Sequence, residues 1–320
     1  MNPPEALPSQ SLLKYCASAW GLKNLAFIRK MENIVYSADS KEGKVYLRLT
    51  SPLRRGKPEI EAEIHWIEHL ASSGIAVPKL IPGRKGNKIV SLHENNQQFE
   101  AVVFKEVRGG HPSIEVATSP AFLRKLGALI AKMHLASERY EKLHHKREEW
   151  FEERGLRHAL TGAANSAQIA LRSQLKSMVA QLHQLPRTPS TYGLIHADLG
   201  ALNLFVSDDN SIVIIDFDDS CYHWFVFDLA IVLFSIEGRF REDALLPDLA
   251  KWLKDLLEGY QSVRLLSQDE IDRIPFLIRY AQLRLYFWIE YHESLNTFHK
   301  DAIEKVRGIK EWLYQQLTKH

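Results

Sequence analysis

The chain has 320 residues, 45% of them hydrophobic and 25% charged, and its 41 basic and 39 acidic side chains leave a formal net charge of +2. A balance this even supplies no field to recruit nucleic acid or an anionic membrane surface. Two cysteines, Cys16 and Cys221, make no disulfide framework and suit a reducing compartment. No apolar run approaches the ~18–20 residues that span a bilayer, and the first residues lack the basic flank and apolar core of a signal peptide. The expectation is a cytoplasmic protein of one large or two medium domains.

Residues 11–20 predict a short helix after a Pro/Ser lead-in. Extended segments follow at 25–29, 33–38 and 44–50, the last two separated by the turn-forming Asp39-Ser40-Lys41-Glu42-Gly43. In the third, Val45, Leu47 and Leu49 alternate with Tyr46, Arg48 and Thr50, which sets Arg48 on the face opposite the leucines. Residues 57–73 predict a helix with an Ile60, Ile64, Ile67, Leu70 stripe and a stop at Gly74. Segments 77–82, 88–92 and 99–104 predict strands. Residues 1–104 therefore form a mainly β unit with one substantial helix, and 105–111, broken by Gly109 and Gly110, form a connector. Residues 112–320 form a helical unit, with helices at 120–137, 166–185, 245–260 and 274–292. The charged run 142–157, with His144 and His145, reads as a surface helix or loop, since adjacent histidines point different ways on a helix.

A short β-rich insert at 193–222 holds the chemically suggestive residues. One string is Leu194-Ile195-His196-Ala197-Asp198-Leu199-Gly200-Ala201-Leu202-Asn203; the next is Ile212-Val213-Ile214-Ile215-Asp216-Phe217-Asp218-Asp219. Each sets an apolar, strand-like segment against a carboxylate. Phosphoryl transfer needs this combination: one carboxylate to orient the attacking hydroxyl and accept its proton, and oxygen ligands for the Mg²⁺ that neutralises the triphosphate. His-x-Asp-x-x-x-x-Asn delivers a carboxylate and an amide oxygen from one loop, and Asp216 reaches the same metals across a hairpin.

These strings resemble those of the aminoglycoside phosphotransferase family of small-molecule kinases, which also includes choline and homoserine kinases. The resemblance rests on His196-Ala-Asp198-Leu-Gly-Ala-Leu-Asn203 and Ile215-Asp216-Phe217-Asp218. It extends more weakly to Glu32-Asn33-Ile34-Val35-Tyr36, to Val45-Tyr-Leu-Arg48-Leu, to the helix around Glu63 and to Leu126-Gly127 through His134. It implies an α+β, two-lobed, protein-kinase-like fold, with a nucleotide-binding lobe at 1–104, a hinge at 105–111 and a helical lobe at 112–320. It implies ATP and Mg²⁺ as cofactors and a small-molecule hydroxyl as acceptor. It further implies Asp198 as catalytic base, Asn203 and Asp216 as Mg²⁺ ligands, and Glu63 as partner of the basic residue that holds the ATP phosphates. That residue, usually lysine, is Arg48 here; arginine keeps the charge and clamps phosphate bidentately. No Gly-rich loop precedes it, and Arg29-Lys30-Met31-Glu32-Asn33 stands there instead.

Blander roles compete at several positions. His196 is expected to bond the backbone of its loop rather than to react. Asp228, in Phe227-Asp228-Leu229, is expected to be a buried carboxylate that accepts loop N–H groups. Asp218 stays open between metal and substrate, and Asp219 reads as a turn or cap residue. Glu63 alternatively belongs to a solvated helix face. Tyr280, Arg284, Trp288 and Tyr291 share a helix face that reads as core by default, or as an acceptor wall by the resemblance. Two other functions share these features. Asp216-Phe-Asp218 resembles the nucleophile motif of haloacid-dehalogenase-type phosphatases, but it falls after two-thirds of the chain and is followed by helices. A non-catalytic kinase fold finds support only in Arg48. The acceptor stays open among amino alcohols, hydroxy amino acids, sugars and aminoglycosides. Residues 222–320, with fifteen acidic against thirteen basic side chains, are not conspicuously acidic, which favours the smaller acceptors.

Overall fold

The Ser9 hydroxyl accepts from Leu12 N and starts α1 (Gln10–Trp20), which Gly21 ends in a left-handed conformation at φ 73°. In the computed structural model, which describes residues 7–52, 54–94, 97–141, 147–162, 166–239, 249–295, 297–298 and 300–319, α1 is followed by β1 (Lys23–Lys30), β2 (Asn33–Ser40), β3 (Gly43–Thr50), α2 (Lys57–Ser72), β4 (Ile89–Glu94) and β5 (Gln97–Lys105). The strands form one antiparallel sheet in the order β1-β2-β3-β5-β4. The predicted strand at 77–82 is not one. It lies extended along β5 through Ile81 N to Val103 O and Lys105 N to Lys79 O, both 2.8 Å, with a lone bridge between Leu80 and Phe104. Pro78 and Pro82 remove the donors a ladder needs.

The alternation in β3 decides how the two faces of the sheet are used. Val45, Leu47 and Leu49 pack with Leu12, Cys16 and Trp20 of α1 in a small core of their own. Arg48 points to the other side, toward α2. The α2 stripe of Ile60, Ile64, Ile67 and Leu70 joins the large core of the helical lobe. One helix thus carries a residue that faces the sheet while its apolar stripe is fixed to the other lobe.

Past β5 the chain crosses to the helical lobe. Gly110 exchanges backbone hydrogen bonds with Val206 at 3.1 and 2.8 Å. Gly109 has φ 116°, and a Cβ there would lie 2.1 Å from Val206 O, so only glycine fits. The lobe comprises α3 (Ile114–Ala117), α4 (Pro120–Glu138), α5 (Arg154–Thr161), α6 (Ser166–His183), α7 (Val226–Arg239), α8 (Leu249–Gln261), α9 (Gln268–Asp272), α10 (Ile274–Ser294) and α11 (Lys300–Thr318). Between α6 and α7 lie two small antiparallel ladders, β6 (Tyr192–Ile195) with β9 (Cys221–Trp224) and β7 (Leu204–Val206) with β8 (Ile212–Ile214). Helix α7 lies outside the helices predicted from the sequence; it is buried on nearly every side, so no polar face marks it. Among the described residues no helix is long and apolar enough to cross a membrane.

His144 and His145 lie outside the described residues. Residues 142, 143 and 146 do too; in the described part of the run Arg154 and Arg157 are exposed, but other members are buried. Arg147 and Trp150 are each 3% exposed, and Arg147 donates through Nε to Ser220 O at 2.8 Å and through a terminal nitrogen to Glu59 O at 3.1 Å.

Helices α4 and α8 meet backbone to backbone. A Cβ at Gly127 would lie 2.1 Å from Leu256 O, and one at Gly259 would lie 1.9 Å from Arg124 O. Gly259→Ala must push the helices apart, and overpacking of this kind costs about 1–3 kcal/mol. Denaturant unfolding should therefore give a clearly lower midpoint for Gly259→Ala; an unchanged midpoint would contradict the close approach.

Candidate active site

The loop after β6 is held by one carboxylate. Asp228, in the first turn of α7 and fully buried, accepts from His196 N at 3.1 Å and from Ala197 N at 2.8 Å. Ala197 has φ 64°, a conformation that costs a non-glycine residue about 1–3 kcal/mol. The bond to Asp228 helps to offset that cost. The remaining partner of Asp228 is His134 of α4, whose Nε2 lies 3.1 Å away and whose Nδ1 lies 2.8 Å from Tyr260 Oη. Burial lowers the His134 pKa and keeps the ring neutral, against the pull of Asp228. With one N–H available, His134 donates to Asp228 and accepts from Tyr260, which in turn accepts from Arg264 at 3.0 Å. Ser235 of α7 completes the support by accepting from Ala201 N at 3.0 Å.

His196 is buried and ties the two motifs together. Its Nδ1 accepts from Asp198 N at 3.3 Å, and its Nε2 lies 3.0 Å from Ile215 O. Asp198 opens on a cleft of about 510 Å³. Its Oδ2 accepts from Asn203 Nδ2 at 2.7 Å, and the same nitrogen donates to Asp198 O at 2.8 Å. That fixes the amide and leaves its Oδ1 for a cation. Although Asp198 faces the cleft, the surrounding protein and the nearby Asp219 and Asp216 push its pKa up to about 8, against Arg284 and Asn203. Asp216 stands at φ 63° beyond β8 and lines the same cleft. Burial and then Asp218 raise its pKa, opposed by Arg48 and Arg29. Arg29, near the end of β1, makes an ion pair with Asp216 at 3.1 Å. Asp198, Asn203 and Asp216 thus meet in one cleft and offer hard oxygen donors, the set that suits Mg²⁺. The guanidinium on Asp216 shows that the position attracts positive charge.

Arg48 and Glu63 form a buried bidentate pair, with both N–O distances 2.7 Å. Burial alone would lower the Arg48 pKa; Glu63, together with Asp218 and Asp216, more than compensates and holds it above its ordinary value. Asp218 sits deeper than Asp216, at 3% exposure. Its Oδ2 accepts from Asn33 Nδ2 at 3.0 Å and from Arg54 Nε at 3.1 Å. Arg54 also pairs with Glu32 at 2.8 Å and with Asp219. The carboxylates of Glu32, Asp218 and Asp219 are close enough to share a metal ion, but the Arg54 guanidinium already meets all three. Arg54, Arg48 and Arg55 hold the Asp218 carboxyl well below the usual carboxylate range, against its burial.

Arg284 and Trp288 line the cleft, whereas Tyr280 lies in the core. Arg284 is bound to Glu153 at 2.5 Å. Ile231, Phe234, Leu285 and Trp312 complete an apolar wall. Glu32, Glu153, Asp198, Asp216, Asp218 and Asp219 line the cleft together with Arg29, Arg284 and Lys305, and Arg54 beside them pairs with Glu32, Asp218 and Asp219. None of those six acids lies within 222–320, which is why a count over that stretch missed them. The supporting residues His134, Arg54, Arg147 and Ser235 also escaped the sequence reading. His134 stood in a recognised helix and could have been flagged as a buried polar group in need of a partner.

Residues 25–266 match the phosphotransferase enzyme family. An amicoumacin kinase of Bacillus subtilis is 26% identical over 315 residues, covering 94% of this chain and 90% of its own. A homoserine kinase of Rhizobium etli is 26% identical over 314 residues, covering 94% and 88%. The solved structure of an amicoumacin kinase in complex with AMP-PNP and Ca²⁺ superposes with a TM-score of 0.83 at 24% identity, covering 97% of this chain and 94% of that one.

A carboxyl whose folded-state pKa is raised favours folding fully only while the unfolded chain also keeps its proton. That advantage is lost as pH rises from the ordinary value of 3.8 through about 8. Asp198→Asn removes the ionisation. In chelator and without ligands, its melting temperature should rise progressively relative to the parent between about pH 4 and about pH 8. A gap independent of pH would contradict the crowding of Asp198 by its neighbours.

Proposed function

The chain belongs to the phosphotransferase enzyme family and is a small-molecule kinase, and from that premise we propose that it transfers the γ-phosphoryl group of Mg²⁺-ATP to a hydroxyl of an amine-bearing acceptor. The observation that carries the reading is the meeting of Asp198, Asn203 and Asp216 in one cleft, with Asp198 and Asn203 in direct hydrogen bond. Asp198 is the base: it orients the acceptor hydroxyl and takes its proton late in the transfer. Asn203, through Oδ1, and Asp216 would hold the divalent ion. When bound, that ion supplies positive charge to the phosphate oxygens. Arg48, locked by Glu63, presents its charge to the α- and β-phosphates. Asp218 serves mainly as scaffold, since its Oδ2 is taken by Arg54 and Asn33, although its buried Oδ1 has no hydrogen-bond partner among the described residues.

Arg54 neutralises Glu32, Asp218 and Asp219, and Arg284 holds Glu153, so the negative charge left facing the cleft is that of Asp198 and Asp216; it favours a positively charged acceptor, and the apolar wall suits its carbon skeleton. The kinase of homoserine, an amino acid with a free hydroxyl, fits this class. An ATP-consumption screen over hydroxylated amines and their deaminated counterparts tests the acceptor class: turnover should follow the amine, and equal turnover without it would remove this part of the reading.

Two substitutions test the roles. Asp216→Asn should weaken Mg²⁺-ATP binding strongly while the protein stays folded, and unchanged affinity by calorimetry would remove the metal assignment. Asp198→Asn should leave nucleotide affinity nearly unchanged and lower kcat by about 10²–10⁴-fold, the usual worth of general-base assistance. Near-normal turnover would overturn the mechanism.

A further inference from the structure

The turn joining β1 to β2 lacks glycines, yet it is anchored over the cleft at three points. Glu32 pairs with Arg54 at 2.8 Å, Asn33 donates to Asp218 at 3.0 Å, and Glu32 also lies 3.6 Å from His292 Nε2 of α10. These contacts fix the tip, and the backbone of Arg29, just before it in β1, is fixed by its pairing with Val35 of β2. The Arg29 side chain is otherwise free to turn: it is 54% exposed, and among the described residues its one side-chain partner is Asp216. It differs in this from the other arginines of the site. Arg48 is buried on Glu63, Arg54 is buried on three carboxylates, and Arg284 is bound to Glu153. An exposed pair is worth only about 0–1 kcal/mol, so it is readily exchanged.

Resting on the kinase reading above, we propose that Arg29 is a further catalytic residue, which leaves Asp216 when the divalent ion takes that carboxylate and moves onto the transferring γ-phosphoryl group. In the step it serves, the acceptor oxygen forms a bond to the γ-phosphorus and its proton passes to Asp198. The bond from that phosphorus to the bridging oxygen breaks, and ADP leaves with the electron pair. Charge spreads over the three equatorial oxygens as this happens, and a guanidinium beside them stabilises it. Arg29 is placed for this, since it lines the cleft together with Asp198, Asn203 and Asp216. A backbone-cradling glycine loop is absent from the turn, and a charged side chain at the end of the strand that leads into it does comparable work.

The exchange gives Arg29 opposite effects in two measurements. In the ligand-free protein it competes with the ion for Asp216; in the loaded protein it assists transfer. Full-length Arg29→Ala, probed with Mn²⁺ alone by electron paramagnetic resonance, should bind the ion more tightly than the parent, by up to about 5-fold, the equivalent of the lost exposed pair. Turnover of Mg²⁺-ATP, measured with an acceptor or as slow hydrolysis by water, should fall by about 10²-fold, with KM for ATP moving less. Arg29→Lys should bind Mn²⁺ like the parent and turn over at an intermediate rate. Parent-like turnover in Arg29→Ala overturns the catalytic role. Asp216→Asn separates this inference from the reading beneath it. Mn²⁺ binding that survives Asp216→Asn sinks the metal assignment and the exchange together. Binding lost in Asp216→Asn but unchanged or weakened in Arg29→Ala sinks the exchange alone.

Discussion

One buried carboxylate sets the geometry on which the site depends. Asp228 has no access to water, so its oxygens have to be met by protein donors. Two of those donors are the backbone N–H groups of His196 and Ala197, and satisfying Asp228 bends the loop into the left-handed turn that carries Asp198 toward the cleft. The third is a neutral imidazole, itself backed by Tyr260 and Arg264. Removing any one member would leave a buried polar group unmatched, which costs more than the bond itself contributes. The loop is therefore over-determined from below, where it touches no ligand.

A second arrangement distributes charge across the cleft. Five side chains, Glu32, Asp198, Asp216, Asp218 and Asp219, crowd a small volume and would repel one another if all were equally free. Arg54 neutralises three of them, and Arg55 and Arg147 add positive charge near Asp218. Asp198 and Asp216 are left with raised proton affinity and facing open space. The division follows depth: the acids beneath the cleft are matched by arginines from the β3–α2 connection and the segment before α5, while those at its surface await a cation from outside. The Arg48–Glu63 pair obeys the same rule in the small lobe, where two full charges persist in the interior because each satisfies the other bidentately.

Much of this was legible in the sequence wherever a local period or a fixed spacing encoded it. The alternation in β3 placed Arg48 opposite the leucines, and the stripe in α2 placed its apolar face. The eight-residue string from His196 to Asn203 and the Asp216 hairpin named the cleft. Legibility ended where meaning lay in contacts distant along the chain. Arg54 and Arg147 are ordinary basic residues in loops until folding sets them against Asp218, more than 160 and about 70 positions away. His134 sits in a recognisable helix, but its partner is 94 residues on. Helix α7 shows no polar face because it is buried on nearly every side, and the strand predicted at 77–82 failed because its two prolines outweigh its apolar content.

The glycines at 127 and 259 have a consequence for how this sequence can drift. Helix α4 carries His134 and helix α8 carries Tyr260, so the separation of the two helix axes sets whether those side chains meet at 2.8 Å. Gly259 is the immediate neighbour of Tyr260, and a Cβ at Gly127 would lie 2.7 Å from Tyr260 N. The two glycines and the His134–Tyr260 bond are therefore geometrically coupled. A lineage cannot enlarge either glycine and keep the bond, and a relative with side chains at both places has to hold its catalytic loop by other means. Tolerance at 127 and 259, two positions remote from any substrate, is thus a criterion for sorting relatives by how they support the loop rather than by what they phosphorylate.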